Sequence, residues 1–154
     1  MWWQIYLTTH SGLYYFCVKE ILDGEGGLID RLQKGLDHGF SFYEKDITNL
    51  TQLSYYGRFR DLKAFAEIPE TGIKSTGYVV DSIEAAIWSL IRTESYRDCL
   101  LTAVNLGDDS DTVGAIAGGL AALFYGYDGI PEEWLAVIQK RDWIEEMCRM
   151  EMSK

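Results

Sequence analysis

The chain has 154 residues, 47% of them hydrophobic, with two prolines and a formal net charge of −10. This length and apolar content suit one globular domain that buries about two-thirds of its unfolded surface, and they exclude a disordered or fibrous chain. The acidity excludes capture of nucleic-acid phosphate by bulk charge, which needs clustered Lys and Arg, and it suits a soluble protein that takes up cations.

In chain order, Met1-Trp2-Trp3-Gln4-Ile5-Tyr6-Leu7 has no basic start and is interrupted by a polar residue, unlike a signal peptide. Its aromatic side chains either tuck into the core or form a patch that pairs with another chain. His10, after two threonines and ahead of a helix, reads as a capping or surface histidine rather than a ligand. Leu13, Phe16, Cys17 and Ile21 recur at helical intervals and Asp23-Gly24 ends the run, predicting a helix over 11–23. Leu28, Leu32, Leu36 and Phe40 predict a second. Residues 46–61 are less regular, with Ile47, Leu50 and Leu53 marking one helical stretch, and Ile68-Pro69-Glu70-Thr71-Gly72 is a loop.

Residues 81–91 form an amphipathic pattern, with Ile83, Ile87, Leu90 and Ile91 on one side. Ser95 with Asp98 resembles a capping box that opens a helix over 96–106, and Gly107 is placed to stop it. From Thr112 to Tyr125 nearly every residue is apolar or glycine, predicting a helix buried on all sides and too short to span a bilayer. Pro131, Glu132 and Glu133 make a helix start, with Trp134, Leu135 and Ile138 packing behind it. Trp143, Ile144 and Met147 mark a final helix. No pair of alternating strands occurs, so the expected class is all-α, in a single helical domain over 1–154. Cys17, Cys99 and Cys148 are odd in number and far apart, which disfavours zinc or a disulfide framework and points to a reducing, cytoplasmic setting.

The chemistry concentrates at Gly107-Asp108-Asp109-Ser110-Asp111-Thr112, at the head of the apolar segment. One acid there is an ordinary helix cap, favoured by the dipole. Two carboxylates about 5 Å apart repel by roughly 3 kcal/mol at an effective dielectric of 20, more than a dipole end worth about 0.3–1 kcal/mol offsets. A cation relieves that repulsion, and Asp and Thr oxygens favour magnesium, calcium or manganese over zinc. Both readings, metal ligands and solvated cap, stand at this point. An EF-hand fails because Val113 and Leu120 occupy positions that must ligate, and a P-loop fails for want of Gly-Lys-Ser/Thr. Gly114, Gly118 and Gly119 fall inside the helical pattern, where glycine permits close helix approach.

The run Gly-Asp-Asp-Ser-Asp-Thr followed by Ala-Ile-Ala-Gly-Gly-Leu-Ala resembles the carboxy-terminal metal motif of the ADP-ribosylglycohydrolase family. Residues 73–88, Ile-Lys-Ser-Thr-Gly-Tyr-Val-Val-Asp-Ser-Ile-Glu-Ala-Ala-Ile-Trp, are similar to the family's Gly-Tyr-Val loop and following helix. Tyr125-Gly126 and Ile130-Pro131-Glu132-Glu133-Trp134 resemble its ending. The resemblance covers roughly residues 73–145 and implies the carboxy-terminal half of that all-α fold, the amino-terminal half being absent. It implies that Asp109, Asp111 and Thr112 are ligands of Mg2+ or Mn2+, and that Tyr78 packs against bound ADP-ribose beside Ser75, Thr76, Gly77 and Asp108. The other half of the two-metal site, a Thr-Asp-Asp-Thr-like run, does not occur here, and no catalytic base is assignable. The implied function is metal-assisted hydrolysis of ADP-ribose conjugates once a homo-oligomer or complementary chain completes the site. The alternative is a non-catalytic relative that binds or acts structurally, without nucleic acid or membrane.

Overall fold

The computed structural model describes residues 9–152, with side chains described through Met150. The opening aromatic cluster of Trp2, Trp3 and Tyr6 lies outside the described residues. Helix α1 (Thr9–Asp23) and helix α2 (Leu28–Tyr43) pair along a glycine seam. A Cβ on Gly35 would stand 2.6 Å from the Phe16 carbonyl oxygen, and one on Gly39 would stand 2.7 Å from Leu13 Cδ2. Only glycine lets the two backbones approach this closely.

The irregular stretch after α2 divides into short pieces because two aspartates cap it. Asp46 accepts the Thr48 amide at 2.9 Å, opening a 3-10 turn (Ile47–Asn49) that runs into α3 (Leu50–Ser54). After a second 3-10 turn (Gly57–Arg60), Asp61 accepts the Ala64 amide at 2.9 Å and starts α4 (Leu62–Ala66). Such side-chain caps satisfy amides that have no partner within the helix. These pieces bring Tyr56, Phe59, Leu62 and Phe65 into the core, all nearly fully buried.

Helix α5 (Val79–Ile91) is the hub, with every residue from Ser82 to Leu90 buried. Its Trp88 indole donates to the Ile68 carbonyl at 2.9 Å, fixing the Pro69 loop to the helix. Helix α6 (Tyr96–Asn105) opens where the Ser95 hydroxyl accepts the Asp98 amide at 3.0 Å. Gly107 (φ 78°) and Asp108 (φ 53°) then reverse the chain in the left-handed region into α7 (Ser110–Tyr125). The glycines of α7 serve packing: a Cβ on Gly114 would lie 3.1 Å from Val104, and one on Gly118 would lie 3.4 Å from Leu100.

Two outcomes differ from the sequence pattern. Helix α7 is not buried all round, because Ala115, Gly119 and Leu123 face solvent between its neighbours. After a 3-10 turn (Tyr127–Gly129) and the short α8 (Glu132–Leu135), only Leu135 packs fully, while Ile138 remains 44% exposed. The last helix, α9 (Arg141–Met152), carries Trp143, Ile144 and Met147 on its surface. No strand occurs among the described residues, and the fold is all-α. No helix of the described residues is long and apolar enough to cross a membrane.

Candidate functional site

The amino-terminal ends of α5 and α7 lie side by side, and the loop that enters α5 locks onto the turn that enters α7. The Asp109 amide donates to the Ser75 carbonyl at 2.9 Å, and the buried Ser75 hydroxyl donates to the Gly107 carbonyl at 3.0 Å. Within the loop, the Thr76 hydroxyl donates to Asp81 at 2.6 Å and accepts the Tyr78 amide at 3.2 Å. The Ser82 hydroxyl donates to the Thr76 carbonyl at 3.0 Å. These bonds engage Ser75 and Thr76 in holding the loop, and they leave Tyr78 half exposed at its tip.

Asp109 occupies the N-cap position of α7, yet its carboxylate caps no backbone amide. Its Oδ1 accepts the Thr112 hydroxyl at 3.0 Å instead. Its Oδ2 stands 3.4 Å from where a Cβ on Gly77 would be, an ordinary contact distance that places the carboxylate against the loop. Asp108 and Asp111 are exposed, and none of the three acids forms an ion pair with a described Lys, Arg or His. The structure thus brings together Asp109, Thr112 and the Ser75–Tyr78 loop, and gives Asp108 and Asp111 no protein partner there.

The donor chemistry fits a hard cation: an uncapped carboxylate and an adjoining hydroxyl supply oxygen ligands of the kind magnesium and manganese prefer. The set is incomplete, since among the described residues no three or more His, Cys, Asp or Glu side chains group to hold a metal. Any resident ion therefore needs further ligands from water, substrate or additional protein groups.

A cavity of about 220 Å3 is lined by His10, Ser11 and Tyr14 of α1, Val79 and Ile83 of α5, and Ile116 of α7. His10 is neither a cap nor a free surface residue: it sits half buried in the first turn of α1, its Nδ1 hydrogen-bonded to the Tyr56 hydroxyl. Burial holds its pKa below the ordinary 6.5. Burial also raises the Tyr56 phenol, with Tyr78 and Glu84 adding to the effect. Glu84 is raised chiefly by burial, opposed by Arg58, which pairs with it at 3.0 Å. His10 and Tyr14 share a helix face at four-residue spacing, the one sequence signal that could have brought His10 to the site. Its partner Tyr56, 46 residues away, has none.

Buried thiols at Cys17 and Cys99 are pushed up to about 12 by desolvation, which keeps them protonated and unreactive. Chemistry at this site is that of oxygen donors.

These features define an all-α protein with an oxygen-donor cluster at one helix end, against a glycine–tyrosine loop. The chain belongs to the ADP-ribosylglycohydrolase family, whose sequence profile matches residues 7–153. It is 43% identical over 76 residues to an ADP-ribosylarginine hydrolase of Serratia proteamaculans, covering 49% of this chain and 21% of the relative. It is 38% identical over 68 residues to the ADP-ribosyl-[dinitrogen reductase] glycohydrolase of Rhodospirillum rubrum, covering 44% and 23%. With the human ADP-ribosylhydrolase ARH3 it shares 40% identity over 65 residues, covering 35% and 18%. The chain thus spans about a fifth of the length of the curated relatives it matches.

Proposed function

We propose that this chain provides one half of a metal-assisted centre that hydrolyses ADP-ribose conjugates. Asp109, Asp111 and Thr112 hold Mg2+ or Mn2+, and carboxylates from a second copy or a complementary chain complete the ligand set. The observation that carries this reading is the Asp109 carboxylate, which occupies a cap position without capping, meets a hydroxyl donor and lies against the Gly77 loop. When bound, the ion polarises a sugar oxygen and lowers the pKa of a water.

The chain's own residues bind and orient the substrate. Tyr78 offers its exposed ring to the nucleotide, and Gly77 lets the ligand approach the backbone. Ser75 and Thr76 keep that loop against α7, and Asp108 borders the sugar. His10 presents a polar edge in the cavity, where Val79, Ile83 and Ile116 exclude water. The relatives, an ADP-ribosylarginine hydrolase and an ADP-ribosyl-[dinitrogen reductase] glycohydrolase, support an ADP-ribosylated protein side chain, arginine foremost, as the conjugate.

The incomplete ligand set favours a second reading, in which the chain binds ADP-ribose or serves structurally without catalysis. Thermal stability followed during addition of manganese and then ADP-ribose separates the two, since a ligand that binds only the folded state raises its stability. Metal-dependent stabilisation by ADP-ribose supports the half-centre. Stabilisation by ADP-ribose without metal supports the non-catalytic binder, and no response to either contradicts both ligand-binding readings.

A further inference from the structure

One face of α5 holds the chain segment that leads to the candidate site. Glu84 and Trp88 of α5 and Arg92 at its end recur every four residues, the spacing that stacks side chains along one side of a helix. Three backbone carbonyls of the segment after α4 are fastened to this face. Arg92 donates to the Ala66 carbonyl at 2.7 Å, and the Trp88 indole donates to the Ile68 carbonyl at 2.9 Å. Glu84, a carboxylate with no hydrogen to give, acts through Arg58. One guanidinium nitrogen of Arg58, which carries two hydrogens, donates to Glu84 at 3.0 Å and to the Gly72 carbonyl at 3.2 Å.

Of the three fastenings, the one through Arg58 stands nearest the site in the chain. Residues 69–73 form a self-bonded turn, with the Gly72 amide on the Pro69 carbonyl at 2.8 Å and the Ile73 amide on the Glu70 carbonyl at 3.0 Å. A Cβ on Gly72 would stand 2.7 Å from Ile68 Cγ2, so the turn also packs tightly on the residue that Trp88 holds. Only Ile73 and Lys74 separate Gly72 from Ser75, three steps of chain that span at most about 10 Å. Ser75 is where the segment meets α7, its carbonyl accepting the Asp109 amide at 2.9 Å. With so little slack, a turn that leaves α5 pulls on the bond that seats Asp109 against the loop.

We propose that Arg58 is a positioning residue for the candidate site, holding the Gly72 turn to Glu84 so that the Ser75–Tyr78 loop meets α7 at Asp109. Its consequence for binding rests on the metal reading of Asp109, while the placement of the loop does not. Loss of Arg58 has two effects. It leaves Glu84, 7% exposed, as a buried carboxylate without its partner, which destabilises the whole fold. It also frees the Gly72 carbonyl, which loosens the loop alone. Arg58→Met with Glu84→Met removes the first effect, because apolar side chains of similar volume replace a buried ion pair at little cost, and it keeps the second, because neither methionine donates a hydrogen bond.

Native-state hydrogen exchange of the full chain, followed by NMR, tests this without a ligand. The reporter is the Asp109 amide, whose acceptor lies in the loop, and the reference is the Ile87 amide inside α5. In the double variant the Asp109 amide exchanges about tenfold faster than in the wild type, as the loss of one hydrogen bond from a charged donor implies, while Ile87 keeps its rate. Glu84→Gln alone keeps an acceptor for Arg58 and leaves the Asp109 rate as in the wild type. Manganese titration of the same proteins reads the consequence at the site, with affinity reduced in the double variant and retained in Glu84→Gln. An Asp109 rate unchanged in the double variant, one that rises only in step with Ile87, or a manganese affinity that the double variant shares with the wild type each overturn the proposal. If exchange responds as stated and the wild type takes up no manganese, the placement by Arg58 stands and the metal reading of Asp109 falls.

Discussion

Asp109 and Gly77 face each other across the junction of α5 and α7, with the carboxylate Oδ2 3.4 Å from the position a Cβ on residue 77 would take. The contact joins two segments 32 residues apart, already held together by the Asp109 amide on the Ser75 carbonyl. It makes residue 77 a gauge of the space around the carboxylate.

Gly77→Val should therefore weaken metal binding while costing little stability. Gly77 is exposed and outside any helix, and surface substitutions of this kind usually change stability by about 0.5 kcal/mol or less. Calorimetric titration of manganese into wild type and variant checks the first half, and urea unfolding the second. Unchanged metal affinity would show that the Asp109 carboxylate is not a ligand in this position.

The α7 glycines should divide by the space around them. A Cβ on Gly118 meets only ordinary contact at 3.4 Å, so Gly118→Ala gains helix propensity of about 0.5–1 kcal/mol. Gly114 is tighter, with Val104 at 3.1 Å, and Gly114→Leu overpacks the α6–α7 seam by roughly 1–3 kcal/mol. Chemical denaturation of both variants should show opposite signs.

Stability should fall below neutral pH partly through His10. Burial lowers its folded pKa beneath the ordinary 6.5, so below that value the unfolded chain takes up the proton first and folding loses ground. Above 6.5 the contribution is constant. Glu84, whose carboxyl is raised by burial, acts with the opposite sign from lower pH, so the informative quantity is the difference between wild type and His10→Gln. That difference should shrink as pH drops from 7 toward 5 if melting temperatures follow this linkage. A constant difference would mean that His10 does not titrate between the two states.

Much of this was legible from local signals. Ser95 and Asp98 announced the start of α6, Gly107 its end, and the apolar period from Val113 to Phe124 the body of α7. Helix α4 was missed because its five residues carry less than two turns of pattern, and Asp61, not periodicity, starts it. The exposed side of α7 was unreadable for another reason. Alanine and glycine look alike in sequence whether they face α6 or solvent, and only neighbouring helices separate Gly118 from Gly119. In sequence His10 reads as a capping or surface histidine, since its partner Tyr56 arrives only through tertiary folding. At the site, the acids and the Gly-Tyr loop were visible as residue types. What the sequence lacked was the pairing of Asp109 with Thr112 in place of a backbone cap.

The central claim, that Asp109 anchors a metal on which ADP-ribose binding depends, is tested most directly by calorimetric titration of ADP-ribose with and without manganese, into wild type and Asp109→Ala. The account predicts binding to the wild type only with manganese present, and none to Asp109→Ala under either condition despite an unchanged helical spectrum. Equal manganese-dependent binding by both proteins would contradict it.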